Sequence, residues 1–153
     1  MTTWRKMQPW DALPVFSLMR EFYDRRIGTG AVTDAQLWDS LERCVDNYPH
    51  LEGFVVFEDQ TLAGYAMLSR TYDPTQCCEA LLLQEFYVDR PFRQTGCGDR
   101  FLRALPTLCP DCGYVAVSDT AGESVWRPLG YRRSGNLYAA ACRPADAKEQ
   151  PHS

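Results

Sequence analysis

Residues Arg93-Gln94-Thr95-Gly96-Cys97-Gly98 carry the most chemistry per position in this 153-residue chain. Two glycines in three positions are unfavourable unless the backbone itself must approach something closely. The segment lies between an apolar strand pattern and an amphipathic run. It would leave unpaired N–H groups at the positive end of a helix dipole, a ready site for phosphate oxygens. Spacing narrows the choice of ligand. A P-loop needs Lys and then Ser or Thr after its last glycine, and here Gly98 is followed by Asp99. A dinucleotide fingerprint needs a third glycine where Phe101 stands, and the earlier Gly28-Thr29-Gly30 has Thr33 instead. What remains is RxxGxG: Arg93 for charge, and the backbone of Gln94 to Gly98 to wrap a pyrophosphate. The competing account is a tight turn with close helix packing and no ligand.

Other chemistries are poorly furnished. The histidines are His50, beside Pro49 in a turn, and His152 near the end, which argues against a histidine triad or a histidine metal cluster. Cys109-Pro110-Asp111-Cys112 has CxxC spacing, but a zinc site needs a second pair and adjacent Cys77 and Cys78 lack the spacing, so no metal is expected. Cys97, at a helix N-terminus, could be a reactive thiol or a small residue filling a tight site. Seven cysteines are an odd number without the pattern of a disulfide framework, and no apolar run qualifies as a signal peptide or membrane span. A cytoplasmic protein with no membrane partner is the expectation. A net charge of −4 argues against nucleic acid, although four arginines face two aspartates between Asp89 and Arg103.

The elements that must position the glycine segment read as α/β. Thr3 to Met7 predicts a strand. Asp11 caps a first helix with Leu13, Phe16, Leu18, Met19, Phe22 and Tyr23 as its apolar pattern. Thr33 and Gln36 have capping-box spacing ahead of a second helix that stops before Pro49. A hairpin turns at Glu58-Asp59-Gln60, and Ala80 to Asp89 is a long strand too apolar on both faces for a wet edge. A third helix begins at the glycines and stops before Pro110 and Gly113; then come strand GYVAVSD, a short helix over Glu123 to Leu129, and a hairpin about Gly135-Asn136. Residues 1–143 form one domain, and the polar 144–153 tail reads as disordered.

With that element order, RxxGxG resembles the signature of the GNAT superfamily of acyl-CoA-dependent N-acetyltransferases. Leu129-Gly130-Tyr131, preceded by Asp119, Gly122, Val125 and Trp126, matches part of a second landmark of that family. The resemblance implies a mixed, mostly antiparallel sheet of six to seven strands flanked by about four helices, with a V-shaped opening between the fourth and fifth strands. Acetyl-CoA would lie there as co-substrate, on the backbone of Phe86, Tyr87 and Val88 and on Arg93, Gln94, Thr95, Gly96, Cys97 and Gly98, with Asp119 and Trp126 beside it. An amide near Val88 would face the thioester oxygen. The implied reaction is direct acetyl transfer to a primary amine of a small molecule or peptide.

The family's catalytic positions are only partly occupied. The glutamate that some members carry nine residues before the signature arginine corresponds to Gln84, which is no base. Glu85 is the candidate instead, provided that a bulge turns it to the right face. The tyrosine that protonates the leaving thiolate corresponds to Trp126, leaving Tyr131, or Tyr138, as substitute acid. With base and acid both displaced, an α-amine of pKa near 8 suits the site better than a lysine amine near 10.4. Glu21, Asp24, Asp34, Tyr23, Trp38 and Tyr72 would line an acceptor pocket for a cationic amine. Dimers are frequent in the resembling family, so a homodimer stays open. The rival reading is an acyl-CoA-binding sensor without catalysis.

Overall fold

Local signals decide most of the element boundaries. A computed structural model describes residues 1–118 and 122–146, apart from the side chain of Glu123. In chain order the elements are β1 (Thr2–Lys6), α1 (Ala12–Arg26), α2 (Asp34–Val45), β2 (Leu51–Glu58), β3 (Thr61–Asp73), β4 (Cys78–Val88), α3 (Cys97–Ala104), β5 (Tyr114–Ser118), α4 (Glu123–Trp126), β6 (Arg132–Ser134) and β7 (Leu137–Ala141). The capping box closes on α2: the Gln36 amide donates to the Thr33 hydroxyl, and the Thr33 amide donates to the Gln36 side chain at 2.8 Å. Asp59 and Gln60 both take positive φ, the twist a two-residue hairpin needs between β2 and β3. In α1 the buried stripe is Val15, Leu18 and Met19, so Leu13, about 200° of helical rotation before Val15, is exposed and lies outside the expected apolar pattern. The third helix is shorter than its apolar spacing suggests. Pro106 removes an N–H, and the chain tightens to a 3-10 turn over Leu105–Thr107.

The strands form one seven-stranded sheet in the order β1-β2-β3-β4-β5-β7-β6. Every pairing is antiparallel except that of β4 with β5. That parallel contact covers only Ala80, Leu81 and Leu82 against Tyr114, Val115 and Ala116. Past Leu82, β4 runs on to Val88 with no strand paired on that side among the described residues, while β5 stays paired with β7 along its whole length, Tyr114–Ser118. The sheet is therefore open between β4 and β5 at the end where β4 feeds the glycine segment. One core lies under α3 and includes Phe54, Leu68, Leu81, Phe101, Val115 and Tyr131. The other lies under α1 and α2 and includes Val15, Met19, Leu41, Tyr65, Met67 and Tyr87.

Candidate active site

The mouth of the opening is built around two glycines. Gly96 stands at the N-cap of α3 with φ +81°, a conformation other L-residues resist. Gly98 has ordinary dihedrals but no room: a Cβ there would come within 3.2 Å of Val88 and 3.3 Å of Phe86, so its bareness lets α3 press against β4. The loop is preformed, since Thr95 donates to the Phe92 carbonyl through its amide (3.2 Å) and its hydroxyl (2.7 Å) and receives the Cys97 amide at 3.3 Å. Gly96 has no side chain with which to cap the helix, and among the described residues the amides of Gly98 and Asp99 find no acceptor. Arg93 is fixed beside them, its Nε donating to the Val88 carbonyl at 2.9 Å and its guanidinium over the Tyr87 ring at 5.2 Å. Phe86, Tyr87, Val88, Arg93, Gly96 and Gly98 border one cavity of about 380 Å³. Gln94 and Thr95 complete the loop, whereas the Cys97 side chain is fully buried in the core, the position of a filler and not of a reactive thiol.

Backbone direction on β4 suits the same opening. Asp89 donates to the Ala63 carbonyl on β3 at 2.7 Å, and amides alternate sides along a strand. The amides of Val88 and Phe86 therefore point away from β3, into the gap beyond Leu82.

Glu85 reaches its place through a bulge. Met67 pairs with Glu85 but the next pair is Leu68 with Leu83, leaving Gln84 as the extra residue. The bulge puts Gln84 and Glu85 on the α1 side, where Gln84 donates to Ser69 Oγ at 2.9 Å. Glu85 is buried, with Tyr23 donating to one carboxylate oxygen at 2.6 Å and Tyr65 to the other at 2.7 Å. Burial raises its pKa above the ordinary carboxylate value; the two hydroxyl bonds and the Arg26 charge pull the other way without cancelling that rise. Tyr65 is fully buried and Tyr23 half-buried, so Tyr23 is the more accessible of the carboxylate's two partners. Both tyrosine pKa values are pushed up, by burial first and the carboxylate second. Nothing in the chain beyond its place in β3 signals Tyr65 as a partner, because its contact with Glu85 needs the β3–β4 register.

The hydroxyl of the expected acid, Tyr131, is engaged in the structure. Tyr131 is fully buried under α3, and its hydroxyl donates to the Leu102 carbonyl at 2.8 Å. The reason lies in the sequence: the residue four positions after Leu102 is Pro106, which has no N–H, so Tyr131 supplies the missing donor. Tyr131→Phe should cost about 1–3 kcal/mol of stability by orphaning that carbonyl. Turnover per folded molecule should be unchanged, to be read from denaturant unfolding alongside initial rates. A fall in kcat with stability intact would restore a catalytic role. Tyr138 is buried as well. Trp126 is buried with its indole N–H lacking any acceptor among the described residues. Asp119 lies outside the described residues, as do residues 147–153 of the predicted tail.

The expected acceptor-pocket residues are mostly committed elsewhere. Glu21 accepts the Tyr87 hydroxyl, Asp24 and Asp34 both hold Arg20, Trp38 stacks on Phe16 at 4.4 Å, and Tyr72 is exposed. The CxxC cysteines are buried thiols; burial pushes Cys109 up to about 12, the reverse of an activated thiolate. Glu79, Asp111 and Cys112 lie close enough together to ligate an ion, but all three surround the Arg70 guanidinium. No helix among the described residues is long and apolar enough to cross a membrane.

A family model described as the acetyltransferase (GNAT) family matches residues 14–131. Among curated proteins none matches the sequence. Solved structures share the fold at low identity. An aminoglycoside N-acetyltransferase in complex with CoA superposes with a TM-score of 0.70 at 19% identity, over 88% of this chain and 90% of that one. A predicted acetyltransferase with acetyl-CoA from Clostridium acetobutylicum gives 0.69 at 16%, over 88% and 92%. Glucosamine-6-phosphate N-acetyltransferase from Arabidopsis thaliana gives 0.63 at 18%, over 88% and 94%.

Proposed function

The chain belongs to the GNAT acetyltransferase family, and from that premise we propose that it transfers the acetyl group of acetyl-CoA directly to a primary amine of a small molecule or peptide. The observation that carries this reading is a buried carboxylate on β4 and, following that strand, a glycine loop with unengaged amides at the opening between β4 and β5. Nitrogen as the accepting atom is in keeping with the two N-acetyltransferases that share the fold. The pyrophosphate of the co-substrate would sit on the Gly98 and Asp99 amides beside Arg93. Its thioester oxygen would take a hydrogen bond from the Val88 amide, which stabilises the charge that develops there during attack.

An amine must be neutral to attack. For an amine of pKa about 10.4 that deprotonation costs roughly 4 to 5 kcal/mol at pH 7, and much less for an α-amine near 8. Glu85 supplies the base. As the nitrogen forms its bond to the acyl carbon, its proton passes to the Tyr23 oxygen while the Tyr23 hydroxyl proton passes to Glu85. The C–S bond then breaks and the electron pair leaves on sulfur. Trp126 has no acidic proton to give and Tyr131 is spent on Leu102, so the sulfur departs as thiolate, tolerable for a thiol of pKa near 8.5.

The direction of the Glu85 shift fixes a pH dependence. The rate needs the ionised form, so kcat/KM should fall as pH drops through a pKa lying above the usual carboxylate value. Tyr65→Phe removes one hydrogen bond from the carboxylate and leaves its desolvation less opposed. That variant should carry its acid limb to higher pH while keeping its plateau rate, measured as a kcat/KM profile. An unmoved limb would detach Tyr65 from the base.

One observation favours a second reading, a domain that binds acyl-CoA without turning it over: Trp126 stands where an acid is expected, and its N–H is buried. The experiment is thiol release from acetyl-CoA against an amine panel, with thermal unfolding in the presence of CoA. Stabilisation with turnover supports the transferase; stabilisation without it supports the sensor; neither removes both.

A further inference from the structure

A groove of about 490 Å³ on the α1 side of β4 is lined by Phe22, Arg25, Arg26, Phe86 and Tyr87. Arg25 and Arg26 are exposed in the last turn of α1, and among the described residues neither forms an ion pair. The carboxylates nearby are already engaged: Glu21 with the Tyr87 hydroxyl, Asp24 with Arg20, and Glu85 with Tyr23 and Tyr65. A helix C-terminus favours basic residues through its dipole, which accounts for the sign of these two. It does not account for their lining an aromatic groove, with Arg26 lying 5.5 Å over the Phe22 ring. The groove lies next to the candidate base's partner, since the Phe22 ring that lines it stands 5.0 Å from the Tyr23 ring and Tyr23 donates to Glu85. Two cations with no ion pair among the described residues thus line a groove whose Phe22 wall adjoins the Tyr23–Glu85 pair.

A ligand that complements both ends carries an amine and an anion. We propose that the acceptor is a small amine that also bears a carboxylate or phosphate, bound with the anionic group on Arg25 and Arg26 and the amine turned toward Tyr23 and Glu85. Guanidinium forks match both anions in paired hydrogen bonds, and the aromatic walls lower the local dielectric around them. The inference deepens the acetyl-transfer reading and rests on it. The groove adjoins the cavity at the N-terminus of α3, with which it shares Phe86 and Tyr87, but its cations come from α1 and not from the Arg93–Gly98 loop where the coenzyme's own phosphates would sit.

Matched acceptors test it: an amino acid against its carboxamide, and phosphoethanolamine against ethanolamine. Each is titrated calorimetrically into CoA-saturated protein and also assayed for kcat/KM. The anionic member of each pair should bind at least 10-fold more tightly, and Arg25→Gln/Arg26→Gln should abolish that preference while leaving CoA affinity within about 2-fold. Equal binding of charged and neutral members, or a preference that survives the double substitution, overturns the proposal. Loss of CoA affinity in the double variant overturns it too, by assigning the arginines to the coenzyme. Preferential binding with no thiol released sinks acetyl transfer but leaves the anion site standing, whereas turnover indifferent to the anion does the reverse.

Discussion

Glu85→Gln should lower kcat/KM by about 10²- to 10⁴-fold, the usual contribution of a positioned general base, and should erase the acid limb of the pH profile. Glu85 is the carboxylate that the β4 bulge turns to the α1 side, and its hydrogen bond from half-buried Tyr23 is the proposed path of the proton. The amide has the carboxylate's shape but cannot be a base, and it cannot accept from both tyrosines in the same way. The fold should survive, because a buried neutral amide is less costly than a buried charge. Coenzyme affinity should be unchanged, since Gly98 packs against Val88 and Phe86 on the opposite face of β4. Steady-state kinetics with calorimetric CoA titration separates these effects. A variant within 3-fold of the parent rate would remove Glu85 from the chemistry.

Gly98→Val should weaken CoA binding by at least about 100-fold, equivalent to roughly 2.7 kcal/mol. A Cβ at this position already meets Val88 at 3.2 Å and Phe86 at 3.3 Å. The two γ-methyls of valine would push the first turn of α3 off β4 and occupy the approach to its unpaired amides. Gly96→Val acts differently: it forces a β-branched residue to φ +81°, so the loop must rebuild before it can bind anything. Gly98→Ala separates the effects, because the neighbours need give only a few tenths of an ångström and the loss should be smaller. Circular dichroism and thermal unfolding establish that the variants fold. Undiminished CoA affinity in folded Gly98→Val would return the two glycines to the bland role of a tight turn.

The features legible in the sequence are those that neighbouring residues settle among themselves. Thr33 and Gln36 meet across one helical turn, Asp59-Gln60 closes a hairpin locally, and Gly96 and Gly98 announce backbone approach by being glycine. Features that depend on a partner strand or a packed helix were not legible. The bulge at Gln84 is a property of the β3–β4 register, so adjacent residues alone leave open which face Glu85 takes. Tyr23 and Tyr65 lie 62 and 20 residues from it and become its partners only when α1 is laid across the sheet. Tyr131 misleads for a related reason. Pro106 declares an orphaned carbonyl at Leu102, but which donor answers it is a tertiary matter, and the hydroxyl of Tyr131 is seen to answer it only once the fold is assembled.

The most direct test of where the coenzyme sits is a CoA titration followed by amide nitrogen–proton correlation spectra. The largest shifts should fall on the amides of Gly96, Gly98 and Asp99 and on those of Phe86 and Val88, flanking the gap between β4 and β5. Saturable binding that leaves these five amides unmoved and shifts another part of the sheet instead would contradict the account at its root.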